Sequence, residues 1–242
     1  MKIETQNLVL GVDGCRGGWL VVSWDGKSWN HRVVRDRLQL IDLLKSSRRT
    51  FIDIPIGLGD LESSRTCDRL LRKTLGRSYS SSVFSPPVRA AIYANSYENA
   101  CQINQAQTGK KISIQSWNIT AKIRQIDEIF QQQPELGDRI LESHPELLFW
   151  KLNQEQSLTH KKKTDAGKQQ RLKLLTDPIA ESQKLFTKIR NSSLKKEVSD
   201  DDILDAIVLA YSSHQSLVCG LKSFPDPVEF DDRGLRMAIH YY

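Results

Sequence analysis

Three short apolar runs at the start of the chain constrain its fold more than any other feature. LVLGVDG (residues 8–14), WLVVSW (19–24) and SWNHRVV (28–34) follow one another almost without interruption. Asp25-Gly26 separates the second from the third, and both residue types tolerate the positive φ that tight hairpin turns demand. The opening therefore predicts three consecutive antiparallel strands. LQLIDLL (38–44) then has apolar residues at 38, 40, 41, 43 and 44, a broad helical face. TFIDIPIGL (50–58) reads as a buried strand stopped by Pro55 and Gly57. The order strand, strand, strand, helix, strand predicts an α/β layer fold, in which the helical crossover returns the chain as a parallel neighbour of the first strand. The ends of strands one and four then lie side by side.

Residues 59–137 differ in character. A charged helix candidate carries Arg65, Arg69, Arg72 and Lys73, a Gly/Ser/Pro stretch covers 76–94, and Ile123, Ile126 and Phe130 have helical spacing closed by Pro134. This stretch reads as a helical and loop insertion into a single domain spanning 1–242. RILESHPELLFW (139–150) predicts a strand leading into a short helix after Pro145, residues 199–218 form the clearest helix, and RMAIHYY (236–242) reads as a last edge strand.

The 39% hydrophobic and 26% charged composition of the 242 residues excludes disordered and fibrous classes. No apolar run approaches the ~18 residues of a membrane span, and MKIETQNLVL lacks a secretion signal, so a cytoplasmic location is expected. Cys15, Cys67, Cys101 and Cys219 are far apart, with no CxxC pair, which fits reduced thiols rather than a disulfide frame or a zinc site. The formal net charge of +6 is unevenly placed. Residues 151–196 hold twelve basic and four acidic side chains, a surplus of eight, which leaves 23 basic and 25 acidic residues elsewhere. A basic segment is attached to a slightly acidic body, and such a segment either contacts phosphate or is a solvated loop.

The carboxylates carry the chemistry. Asp13 ends the first strand, Asp53 lies within the fourth, and Asp202 and Asp205 share a face of the last helix at i, i+3 spacing. If that face meets the paired strand ends, the carboxylates form an oxygen cluster suited to Mg²⁺ or Mn²⁺. Helix capping competes for Asp200, Asp201 and Asp202, and turn formation for Asp13. Asp205 and Asp53 lie in apolar runs, where an unpaired carboxylate is costly and calls for a cation or a partner. ESHPE adds Glu142 as a further ligand or water positioner, with His144 and Glu146 as auxiliary candidates, His144 being equally a hydrogen-bonded core histidine. GVDGCRGGW fits neither a P-loop nor a dinucleotide fingerprint, since it leads into a strand where both need a helix. Its glycines shape a turn and leave Arg16 for a phosphate or a neighbouring carboxylate. Trp19, Trp117 and Tyr79 read as packing residues before base-stacking ones.

GVDGCRGGW, IDIPIGL, RTCDRLLRKTLG, VFSPPVRAAI, ESHPE and DDILDA, in this order, resemble the prokaryotic family numbered 429 among the domains of unknown function, described as predicted nucleases with an RNase H-like fold. The resemblance runs from about Leu8 to about Ser213. It implies a central mixed sheet with strands one to three antiparallel, flanked by helices. Metal-dependent members of the wider superfamily, notably Holliday-junction resolvases, are similar in carrying an Asp on strand one, a carboxylate on strand four and a DxxDA motif on the last helix. Carried over, these are Asp13, Asp53, and Asp202 with Asp205. Glu142 belongs to the family's own ESHPE motif, and KKKTDAGKQQR (161–171) is also similar to a family pattern.

The resulting expectation is a Mg²⁺- or Mn²⁺-dependent nuclease using two ions. Asp13, Asp53, Asp202 and Asp205 would bind metal, and Arg16, Arg77, Arg89, Lys161, Lys162, Lys163, Lys168 and Arg171 would contact phosphate. The alternatives are a phosphotransferase or phosphohydrolase acting on a small molecule, and a non-catalytic nucleic-acid-binding protein.

Overall fold

The computed structural model describes residues 7–59 and 65–242. The reading of the extreme amino terminus, and residues 60–64 of the expected insertion, lie outside the described residues. The chain divides into two compact units. The first takes in the described residues up to Asp53, together with Arg139–Lys222 and His240–Tyr242. The second takes in Ile54–Asp138 and Ser223–Ile239, so the segment expected as an insertion at 59–137 is joined by part of the tail.

The first unit is built on a mixed sheet of five strands: β1 (Val9–Cys15), β2 (Gly18–Trp24), β3 (Trp29–Val34), β4 (Arg49–Ile52) and β5 (Ile140–Glu142), ordered β3-β2-β1-β4-β5. The first three strands are antiparallel and β4 is a parallel neighbour of β1, as the strand and helix order predicts, and β5 adds in parallel beyond β4. The β2–β3 turn is held by Asp25, whose Oδ1 accepts the N–H groups of Lys27 and Ser28, while Gly26 adopts φ 91°. Helix α1 (Arg37–Ser46) makes the crossover; Asp36 caps it by accepting the Gln39 N–H, and Leu40, Ile41 and Leu44 are buried. β4 is shorter than the apolar run suggests. It ends at Ile52, because Pro55 has no N–H to continue a ladder. Asp53 therefore follows the strand, although its N–H still donates to the Val12 carbonyl at 3.0 Å.

Beyond β5 come α6 (Pro145–Leu152), α7 (Asp165–Thr176), α8 (Ser182–Ser192) and α9 (Asp200–Val218). α9 packs on β1, β2 and β4. Its apolar body, from Ile203 to Ala210, is buried throughout and has Asp205 in its midst. Trp19 of β2 is 2% exposed, a packing residue.

The second unit holds α2 (Thr66–Tyr79), α3 (Arg89–Ile92), α4 (Tyr97–Thr108), α5 (Ile114–Gln132) and most of β6 (Lys222–Phe230) and β7 (Arg236–Tyr241). Val88, Ala91, Ala94, Ala100, Cys101 and Ile112 form a core there, with Tyr97, Ile103 and Trp117 packed against it. Tyr79 is also buried. The tail departs from expectation: β7 pairs with β6 in a separate two-stranded sheet instead of edging the central one. β6 is the strand that immediately precedes it, and neighbours in sequence pair readily. None of the four cysteines is in a disulfide, and Cys219 alone is exposed. No helix among the described residues is long and apolar enough to cross a membrane.

Candidate carboxylate centre

Two glycines and one strand end assemble the centre. β1 and β4 run parallel from Val9/Arg49 to Val12/Ile52, so Asp13 and Asp53 stand next to each other where β4 stops. Gly11 and Asp13 share a face of β1 by strand alternation. On that face α9 comes close enough that a β-carbon on Gly11 would lie 2.1 Å from the Ala210 nitrogen and 2.3 Å from the Ala206 carbonyl oxygen. No side chain fits between strand and helix there. The approach carries Asp205, the residue before Ala206, down onto Asp13 and Asp53.

Burial and mutual repulsion then act together. Burial, followed by the charges of Asp205, Asp53 and Asp202, pushes the Asp13 carboxyl well above its ordinary range. Asp53 is pushed up to about 7, first by burial and then by Asp205, with Glu146 adding a smaller repulsion. The Lys162 ammonium opposes both shifts, and its Nζ lies 3.0 Å from Asp205 Oδ2. Attraction by Asp205 is the main cause that raises the Lys162 pKa. Asp205 Oδ1 is buried with no hydrogen-bond partner among the described residues.

The loop before α7 delivers Lys162. Thr164 caps α7 by accepting the Gly167 N–H at 3.0 Å, and its own N–H donates to the Lys161 carbonyl. A β-carbon on Gly167 would lie 2.0 Å from that carbonyl oxygen, so glycine alone lets the loop lie flat against the helix. Beside the carboxylates a 560 Å³ cleft is lined by Arg16, Lys162, Lys163, Lys195 and Lys196, with Glu197, Asp201 and Asp202 among them. Lys195 and Lys196 close the basic segment counted in the sequence, although the phosphate candidates named there stop at Arg171.

The remaining candidates divide by what they touch. Asp202 is near enough to Asp13 to repel it, yet it also completes a capping box: its Oδ2 accepts the Ser199 N–H at 2.7 Å and its N–H donates to Ser199 Oγ. The cap is thus Ser199 with Asp202, while Asp200 pairs with Lys168 and Arg190. Glu142 is level with Ile52 in the β4–β5 register, which by alternation gives it the face opposite to Asp53. His144 is the N-cap of α6, its Nδ1 accepting the Glu146 N–H. Glu146 receives both of its bonds from Arg171, at 2.7 Å each, and the two side chains are 3% and 1% exposed.

The basic candidates separate in the same way. Arg171 is buried in that pair and does not face solvent, because it lies on the covered face of α7 with Leu172 and Leu175. Lys168 pairs with Asp200 and lies over the Phe186 ring. Lys161 and Lys163 are exposed. Arg77 and Arg89 belong to the second unit. There Arg77 is exposed, while Arg89 is buried and bonded to Asp127, Asp231 and Asp232.

Among the described residues, no three His, Cys, Asp or Glu side chains are grouped as a ready-made metal site. The donor chemistry nevertheless suits a hard cation: the centre offers carboxylate oxygens only, and Asp205 Oδ1 is buried and unsatisfied.

Fold and centre together define an α/β protein with Asp13, buried, and Asp53, half-buried, at the end of a parallel strand pair, bordered by a cationic cleft. The chain belongs to the family described as Protein of unknown function (DUF429), whose model matches residues 11–229 and so takes in Asp13, Asp53, Lys162 and Asp205. No curated protein and no solved structure matches the chain.

Proposed function

We propose that this protein is a divalent-metal-dependent nuclease on an RNase H-like sheet. The observation that carries the reading is that Asp205 of α9 lies near enough to Asp13 and Asp53, at the ends of β1 and β4, to repel both, while its own Oδ1 is buried with no partner among the described residues. Burying Asp13 and Asp205 beside the half-buried Asp53 is unfavourable without a cation. The sheet order β3-β2-β1-β4-β5, with its antiparallel first three strands, supports the RNase H-like reading.

Asp13, Asp53 and Asp205 would hold Mg²⁺ or Mn²⁺, with Asp202 at the rim as a further ligand. The ion would supply the positive charge that activates a water and neutralises the leaving oxygen of a phosphodiester. Arg16, Lys163, Lys195 and Lys196 would hold the phosphate backbone in the cleft, fixing its position without reading sequence.

The test is cleavage of end-labelled single- and double-stranded DNA and RNA with Mn²⁺ or with EDTA. Cleavage is expected only with the metal, and Asp13→Asn and Asp205→Asn should abolish it while leaving fold and nucleic-acid binding intact. Equal cleavage by wild type and both variants would overturn the assignment. Metal-independent binding with a steep salt dependence and no cleavage would favour a non-catalytic binding protein instead.

A further inference from the structure

We propose that Lys162 is the resident counter-ion of the carboxylate centre, and that a divalent cation binds there by displacing its ammonium from Asp205. The inference rests on the reading that the centre takes a divalent cation, and adds how the site is held before the ion arrives.

Four observations carry it. The ammonium touches one oxygen of Asp205 at 3.0 Å and leaves the other, buried, oxygen unpartnered among the described residues. The ammonium thus satisfies one of the two oxygens of Asp205 and leaves the other open. The anchor is fixed and the cation is not: the Asp205 side chain is 4% exposed, whereas that of Lys162 is 36% exposed. Lys162 also lines the 560 Å³ cleft, so its long stem has space to withdraw into without carrying the ammonium out of a polar environment. Its backbone, finally, is pinned by the Thr164 cap and by the contact of Gly167 with the Lys161 carbonyl. Movement is thereby confined to the side chain, and the loop does not have to unfold for the site to change occupant.

With the ammonium bound to Asp205, the carboxylates are arranged around a lysine. A divalent ion has twice the charge and reaches several oxygens at once, so it wins the competition only above a threshold concentration that Lys162 sets.

The experiment measures Mn²⁺ binding to the full chain by electron paramagnetic resonance of the free ion, without nucleic acid. Lys162→Met is expected to bind Mn²⁺ roughly tenfold or more tightly than wild type, since one unit charge removed from a buried site changes its potential by at least that much. Lys162→Arg should stay near wild type, and Asp205→Asn should lose binding in either background. If wild type binds Mn²⁺ and Lys162→Met binds it equally or more weakly, the counter-ion proposal is overturned and the metal reading stands. If neither binds, the metal reading itself falls. A second measurement needs no variant: acetylation of Lys162 by an amine-reactive reagent, followed by mass spectrometry, should rise several-fold when Mg²⁺ is added to wild type. Labelling that Mg²⁺ does not change would overturn the displacement.

Discussion

Gly11 of β1 and Ala210 of α9 meet backbone to backbone, with 2.1 Å between the place a Gly11 β-carbon would occupy and the Ala210 nitrogen. This contact sets the height of Asp205 above the sheet, since the Ala206 carbonyl lies over the same glycine. Gly11→Ala must therefore push α9 away from β1. Backbone atoms cannot rotate aside as a side chain would, so the cost should reach about 1–3 kcal/mol or more. Urea unfolding measures it. The pKa of Asp13 should move back toward its ordinary value as Asp205 recedes, which carboxyl-resolved NMR titration reads. A variant as stable as wild type would show that the helix does not depend on this approach.

Asp202 serves two ends of the same helix turn, and one substitution separates them. Its side chain closes the capping box on the Ser199 N–H, and its charge adds to the repulsion on Asp13. Asp202→Asn retains an acceptor for that N–H and removes the charge. Stability should change by no more than about 1 kcal/mol, whereas Asp202→Ala should cost about 1 kcal/mol beyond that for the lost cap. Thermal unfolding of the two variants side by side decides it. Equal losses would mean that the cap contributes nothing.

Much of this arrangement was legible before any coordinate. The β2–β3 hairpin was readable because Asp-Gly between two short apolar runs is a local signal, and the β1–β4 neighbourhood followed from a helical crossover that returns the chain parallel to the first strand. Asp205 was legible because a carboxylate inside an apolar helical run needs an explanation. The directions of the basic side chains were not. Lys162 and Arg171 belong to one like-charged run, yet one reaches Asp205 and the other Glu146. What turns them inward is packing rather than charge: the flat approach of the loop onto Gly167, and the non-local packing of α7 on α9. Glu142 illustrates a register effect. Its strand was predicted, but which face it presents depends on pairing with Ile52, and a shift of one residue would have reversed it.

Arg171 and Lys163 lie eight positions apart and should respond oppositely to alanine. Removing Arg171 leaves Glu146 buried without its two 2.7 Å bonds, a loss expected to cost about 3–5 kcal/mol in chemical unfolding. Lys163 is exposed, so its removal should alter stability by less than about 0.5 kcal/mol. Nucleic-acid binding should invert the order. Lys163→Ala is expected to lower the slope of log affinity against log salt by about 1, the signature of one lost phosphate contact. Folded Arg171→Ala, at low denaturant and low temperature, should keep the wild-type slope. A slope reduced by Arg171→Ala and untouched by Lys163→Ala would reverse the assignment of the two residues.

The acidity of Asp53 makes the stability of the metal-free protein depend on pH in a definite direction. In the folded chain this carboxyl holds its proton up to about 7, against an ordinary value of 3.8, chiefly because ionising it there exposes a charge to burial and to Asp205. Between those two values the folded state binds a proton that the unfolded chain has released. Unfolding then releases that proton, and stability falls as pH rises. The contribution is fully present below the unfolded pKa and is lost as pH rises through the folded one. Asp13, also raised, acts in the same sense. In EDTA, the wild-type melting temperature should therefore decline relative to that of Asp53→Asn between pH 4 and pH 8, since the amide has no proton to lose. Parallel curves across that range would show that Asp53 ionises in the folded protein as freely as in the unfolded chain.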